Sequence, residues 1–445
     1  MTKFRLFTIA ALALVVAATT ANGQTRAYVV NAASSYVSVI DTASNAVVAT
    51  VGVGSQPRGI AITPDGSRAY VANADDATVS VIDTISNTGI ATVDVGPGSE
   101  PMGVVITPDA RLAYVTTYAF NSVTVIDTAS NTVVATVGVG DNPQGVAITP
   151  DGSRAYVTNS NSNNVSVIDT ASNIVVASVG VGVRPLGIAI TPDGSRAYVV
   201  NFGSNSVFVI DAASETVIAS VDVGDRPQGV AITPDGSRAY VTYYAPIVAA
   251  IDTASNTVVA KVTVGLRPQR VAITPDGTGA YVTDQSSNSV SVIRTSTNKL
   301  IASISVGTFP QGVAIATVPA VELSAVAYPT PPVPGGLLTY AFRIWNHTPV
   351  TAEQEVLTTQ VPAGTTFSSL ALSGTAGLGS CTTPEAGASG PVVCKENSVM
   401  RPGSTWTIRL TVQNTAPTGT ILTETATASS DNAGSSTATV HNTVH

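Results

Sequence analysis

Arg184, Arg226 and Arg267 each stand immediately before a proline, and Phe202 and Tyr244 each follow a recurring Ala-Tyr-Val tyrosine by four residues. A guanidinium group is a fixed fork of donors for carboxylates, and an aromatic face adds an apolar plane, so this set suits sugars, carboxylates or an extended acidic peptide. Tyr118 occupies the position of Phe202 and Tyr244 in another copy of the pattern, while Gln228 and Gln269 follow the prolines after Arg226 and Arg267. These eight residues are the candidate ligand-binding set. They are singled out because they vary where the surrounding pattern repeats, and packing accounts for what the copies share.

Other chemistry is thinly provided. The three histidines, His347, His441 and His445, and both cysteines, Cys381 and Cys394, lie beyond the repeats. The repeats therefore lack an imidazole for general-base work or haem ligation, and a thiolate for nucleophilic attack or soft metals. Asp65, Asp109, Asp151, Asp193, Asp235 and Asp276 each follow a proline in a turn of the Pro-Asp-Gly kind. Proline fixes φ there, aspartate bonds the backbone, and one acid per turn is too few for calcium. No catalytic residue, metal or cofactor is assigned on this reading.

The elements that must position these residues follow from a period. Ala-Tyr-Val places tyrosines at Tyr28, Tyr70, Tyr114, Tyr156, Tyr198, Tyr240 and Tyr281, about one every 42 residues. Each unit holds four short runs rich in Val and Ile, bounded by turn residues, which read as strands A to D. Such a sheet cannot bury its faces alone, so the units stack as a seven-bladed β-propeller. The chain begins at strand B of the first unit, and an orphan strand A (residues 312–316) follows the seventh, so the two ends are expected to share a blade and close the ring. Arg26, Arg68, Arg154, Arg196 and Arg238 lie opposite Asp41, Asp83, Asp169, Asp211 and Asp252 across strands B and C, which predicts a charge pair in each of those blades.

After residue 317 the repeat stops and a Pro/Gly-rich stretch at 329–336 opens a different composition. Alternating runs there predict an antiparallel β-sandwich with Tyr340, Phe342, Phe367 and Trp406 in its core. The expected organisation is a signal peptide at 1–23, a propeller at 24–317 and an immunoglobulin-like β-sandwich at 318–445, an all-β protein. Residues 1–23 combine Lys3 and Arg5 with an apolar run at 6–18 and small residues before Gln24, which reads as a secretory signal. No later segment is apolar enough to span a bilayer. An exported chain with one pair of cysteines is expected to join Cys381 to Cys394. Residues 24–317 carry 14 basic against 21 acidic side chains, which disfavours nucleic acid.

The strings A-Y-V-T-N at 155–159, V-S-V-I-D-T at 165–170 and G-V-A-I-T-P-D-G at 145–152 resemble the YVTN family of β-propeller repeats, known from surface-layer and other exported proteins. In the tail, P-G-G-L-L-T-Y at 334–340, V-P-A-G-T-T-F at 361–367 and R-P-G-S-T-W-T-I at 401–408 resemble an immunoglobulin-like repeat of bacterial cell-surface proteins. Neither resemblance supplies a catalytic residue. Together they imply an extracellular, cell-surface or periplasmic location. The expectation is a non-enzymatic binding or structural module for a glycan, peptide or protein. The alternative is an exported propeller enzyme, either a carboxylate-based hydrolase or a quinone-dependent dehydrogenase.

Overall fold

The computed structural model describes residues 24–318 without a break, and beyond them 321–328, 332–346, 352, 355–375, 379–396, 399–401, 403–430 and 434–444. The expected signal segment, His347 and His445 lie outside the described residues. Two compact units are present, divided between Glu322 and Leu323.

The first unit is a seven-bladed β-propeller of four-stranded antiparallel sheets. Blade four shows the plan, with strand A at Pro143–Ile148, B at Arg154–Asn159, C at Asn164–Asp169 and D at Ile174–Gly180. Blade one takes strand A from the far end of the ring. Pro310–Val318 pairs with Gln24–Asn31, with Ala27 opposite Ile315 and Tyr28 opposite Ala314, so the incomplete ends close the ring as their sequence required. Strands B and C are buried along nearly their whole length, which suits their Val, Ile and Ala content, and alternation is confined to the outer strand D.

Neighbouring blades are fastened by the recurring tyrosine. The Tyr114 hydroxyl donates to Asn173 Oδ1 of the next blade at 2.7 Å, Tyr240 to Asn298 at 2.7 Å, and Tyr281 to Asn45 across the closure at 2.7 Å. The receiving Asn has positive φ, 55° at Asn173 and 54° at Asn45, a conformation that Asn tolerates better than most residues. Glu215 takes that position opposite Tyr156 and keeps the same backbone, with φ 54°.

Two of the five expected B–C charge pairs form. All five arginines face their aspartates in register, for example Arg68 opposite Asp83 and Arg154 opposite Asp169. Ion pairs form at Arg154–Asp169 and Arg238–Asp252. Arg26, Arg68 and Arg196 instead donate to the Thr84, Thr128 and Thr253 carbonyls of the next blade at 3.0, 2.8 and 2.9 Å. The same carbonyls also accept from the Tyr28, Tyr70 and Tyr198 hydroxyls at 3.0, 3.3 and 3.4 Å, and an exposed ion pair contributes little in exchange.

The second unit is an antiparallel sandwich. One sheet runs Val321–Tyr328, Leu337–Asn346, Thr405–Asn414 and Thr365–Gly374, and the other Ser380–Thr382, Pro391–Lys395, Val356–Gln360, Ile421–Ser430 and Gly434–Thr443. Tyr340, Phe342 and Trp406 are fully buried, as expected of the core. Phe367 is only half-buried, because a register shift between Phe367 and Ser369 turns the strand there. Cys381 lies opposite Cys394 in adjacent strands and the two are disulfide-bonded.

Candidate functional site

Six of the seven inner strands carry a glycine just after the residue that follows the proline. A Cβ on Gly59, Gly103, Gly145, Gly187, Gly229 or Gly312 would come within 2.4–2.9 Å of a carbonyl oxygen of the next blade. That approach leaves room only for glycine. Blade seven breaks the rule with Arg270.

Arg270 has a local reason for being there. In blades three, four, six and seven a strand B threonine donates to the carbonyl of the next inner strand, as Thr158 does to Leu186 at 2.7 Å and Thr242 to Gln269 at 2.8 Å. Blades one, two and five have Val30, Ala72 and Val200 at that position and cannot donate. Arg270 supplies the donor that blade five lacks, with Nη1 2.8 Å from the Gln228 carbonyl oxygen.

The consequence is an axial cavity of about 160 Å³ lined by the inner strands, in which Arg58 and Arg270 are the only charged side chains. Met102, Gln144 and Gln311 complete its polar and soft lining. Arg270 keeps some contact with solvent through the channel. Desolvation, then the neighbouring Arg58 guanidinium, holds its pKa below the usual arginine value. Arg58 Nε is buried and finds no acceptor. Two guanidinium groups in one lining without a carboxylate offer donors suited to an anion.

The residues singled out from the sequence form a second arrangement, on the loops entering strand A and joining B to C. Those two loops are bonded to each other in every blade. The Phe202 N–H donates to the Arg184 carbonyl at 3.0 Å, Tyr244 to Arg226 at 3.1 Å, and Gln285 to Arg267 at 3.1 Å. The guanidinium of Arg184 lies 5.0 Å from the Phe202 ring centroid. Arg226 and Arg267 share Tyr244, at 5.4 and 5.0 Å. Tyr118 stands apart, because its loop partner is Glu100 rather than arginine. Gln269 Nε2 reaches Gln285 Oε1 at 3.5 Å, and Gln228 contributes its carbonyl to Arg270 rather than a side chain to the axial cavity.

Sequence comparison of the loops found the arginine and aromatic rim and missed Arg270. The signal was available, since Arg270 is the one arginine among seven strand A residues that are otherwise glycine.

The fold and the axial site define a seven-bladed β-propeller with a cationic core. The family model described as "Lactonase, 7-bladed beta-propeller" matches residues 41–174, under a third of the chain. Among solved structures, the chain is similar to Kuenenia stuttgartiensis hydrazine synthase at 29% identity, covering 60% of this chain and 92% of that one with a TM-score of 0.55. It is also similar to a functionally unknown protein from Desulfotomaculum acetoxidans DSM 771, at 21% identity, 66% and 99% coverage and a TM-score of 0.60. A putative 6-phosphogluconolactonase from Bacteroides fragilis NCTC 9343 matches at 17% identity, 66% and 98% coverage and a TM-score of 0.56. The last two likenesses establish the fold alone. No curated protein matches the chain.

These findings correct the expectation of a non-enzymatic module. The lactonase match points to an enzyme-like propeller. The expectation rested on the missing histidines and on acids that repeat from blade to blade, and it gave no weight to electrostatic catalysis by arginine, which needs neither.

Proposed function

We propose that this chain is a propeller hydrolase that opens lactones or related esters bearing a negative group, with Arg58 and Arg270 as its anion-binding and oxyanion-stabilising residues. The observation that carries this reading is that both line one narrow cavity without a lining carboxylate, with Arg58 Nε unpartnered. Attack of water on a lactone carbonyl, with its proton passing to solvent, places negative charge on the former carbonyl oxygen, which reforms the carbonyl as the ring C–O bond breaks to give the hydroxy acid. Fixed donors in a restricted cavity stabilise that charge far more than bulk water does. A carboxylate or phosphate elsewhere on the substrate fits the second fork.

The lactonase match supports the reaction class, since its span holds Arg58, Met102 and Gln144 of the cavity lining. The likeness to hydrazine synthase supports an enzyme-like propeller and supplies no substrate. A redox reading has less behind it, because the ring contains no histidine or cysteine to attach haem. The resemblance to YVTN repeats, the signal-like residues 1–23 and the tail's resemblance to immunoglobulin-like surface modules support export, with the propeller at 24–317 and the tail at 318–445.

The test is hydrolysis of lactones by the full mature chain, comparing carboxylate- or phosphate-bearing substrates with neutral ones of the same ring size. Anionic lactones are expected to be preferred, and Arg58→Gln is expected to lower kcat/KM about a hundredfold with an unchanged Tm. Absence of turnover, or equal rates for charged and neutral lactones, contradicts the assignment.

A further inference from the structure

We propose that the rim of blades five to seven is a second, separate site that binds an extended acidic peptide segment through Arg184, Arg226 and Arg267. The loop position these arginines occupy has the same backbone in all seven blades. Its φ is 51° at Gln56, 49° at Glu100, 53° at Asn142, 52° at Arg184, 51° at Arg226, 53° at Arg267 and 56° at Phe309. Asn or Gly suits that left-handed conformation best, so the backbone does not explain three consecutive arginines.

Their charges are not spent within the protein. Among the described residues, ion pairs within 4.0 Å are Arg154–Asp169 and Arg238–Asp252, and neither involves the rim, although Asp225 precedes Arg226 in the chain. Arg267 Nε is buried without an acceptor. This is a cationic arc on an otherwise acidic ring, and it attracts acids locally.

The stacking geometry favours peptide acids over sugar rings. A sugar packs on an open aromatic face, but guanidinium groups lie over Phe202 and Tyr244. A stacked guanidinium keeps its edge free, and that edge is the bidentate fork for a carboxylate. Because Arg226 and Arg267 share one ring, their charges lie within about 10 Å of each other, the reach of carboxylates two or three residues apart on an extended strand. Phe309, 44% exposed, continues the arc and offers an uncovered face for an apolar side chain beside the acids.

The experiment is fluorescence anisotropy with the full chain and fluorescein-labelled decaglutamate, with oligogalacturonate as competitor. Decaglutamate is expected to bind, more weakly at high salt. The double variant Arg226→Gln, Arg267→Gln is expected to lose at least about tenfold in affinity while keeping its Tm and its lactone turnover. If that variant fails to fold, Arg184→Gln on the neighbouring blade is expected to weaken binding severalfold, and unaltered binding in it overturns the site. No decaglutamate binding, undiminished affinity in a folded double variant, or tighter binding of oligogalacturonate than of decaglutamate also overturns it, the last by assigning the rim to a glycan.

Discussion

The turn aspartates of the ring and the buried glutamates of the tail are treated in opposite ways. The ring's one fully buried acid, Asp284, is pushed up to about 6 by burial although Ser291 and Ser289 donate to it, and so resembles the tail. In the ring, Asp151, Asp193 and Asp235 sit in exposed turns where a threonine hydroxyl two residues earlier and a backbone N–H two residues later both donate to one oxygen. For Asp193 these are Thr191 Oγ1 at 2.5 Å and Ser195 N at 3.0 Å. The Thr191 hydroxyl, then the Ser195 donors, lower the Asp193 pKa from 3.8 to about 2. In the tail, Glu355 and Glu424 are buried in the sandwich. Burial, augmented by Glu396, pushes Glu355 up to about 8, and burial raises Glu424 to about 7 although Thr359 donates to it. A repeated turn carries its own donors with each acid. In the sandwich, the bonds from Thr359 to Glu424 and from Ser430 to Glu355 do not offset burial, so these acids keep their protons to higher pH.

The signs of pH dependence therefore differ. The turn aspartates of the ring stabilise the fold above their unfolded value near 3.8, and that contribution is lost as pH falls toward about 2. The tail glutamates hold protons in the folded state that the unfolded chain releases above about 4.5, so the tail loses stability as pH rises toward 8. Calorimetry should show the ring's transition falling as pH drops from about 4 toward 2, and the tail's falling as pH rises from about 4.5 toward 8 by more than the ring's, where Asp284 alone titrates upward. A tail transition that does not fall between pH 5 and 8 would break the comparison.

The largest single effect expected is on the tail. Replacing both Cys381 and Cys394 by Ala should cost its transition roughly 3 kcal/mol by the chain-entropy argument and leave the ring's transition in place. Next, Glu355→Gln should stabilise the tail at pH 8 by about 2 kcal/mol and flatten its pH dependence, measured by urea unfolding at pH 5 and 8. A destabilised variant at pH 8 would show that Glu355 is folded in as a needed charge. Within the ring, Tyr281→Phe should cost about 1 kcal/mol by removing the hydroxyl bond to Asn45 across the closure. Tyr156→Phe should cost less, because Glu215 stands where the other blades place Asn. Equal losses would mean that the asparagines are not the fasteners.

The propeller was legible in the sequence because seven copies in register turn weak strand signals into one strong period, and the incomplete ends could be joined only by sharing a blade. The rim loops were legible for the same reason. The charge pairs were half legible: sequence register placed Arg68 opposite Asp83, but the choice of the Thr128 carbonyl instead depends on the next blade, which no single unit reveals. The buried glutamates of the tail were not legible, since alternation identifies a sandwich strand without saying which polar residue points inward. Arg270 was overlooked because glycine at its position matters only once the inner strands are known to approach within contact distance.

The most direct test of the axial site is Arg270→Gly, which restores the residue shared by the other six inner strands. The account predicts a folded ring, with loss of the Gln228 contact costing it about 1 kcal/mol, and a fall of about a hundredfold in kcat/KM for an anionic lactone. A folded Arg270→Gly protein with undiminished turnover would contradict it.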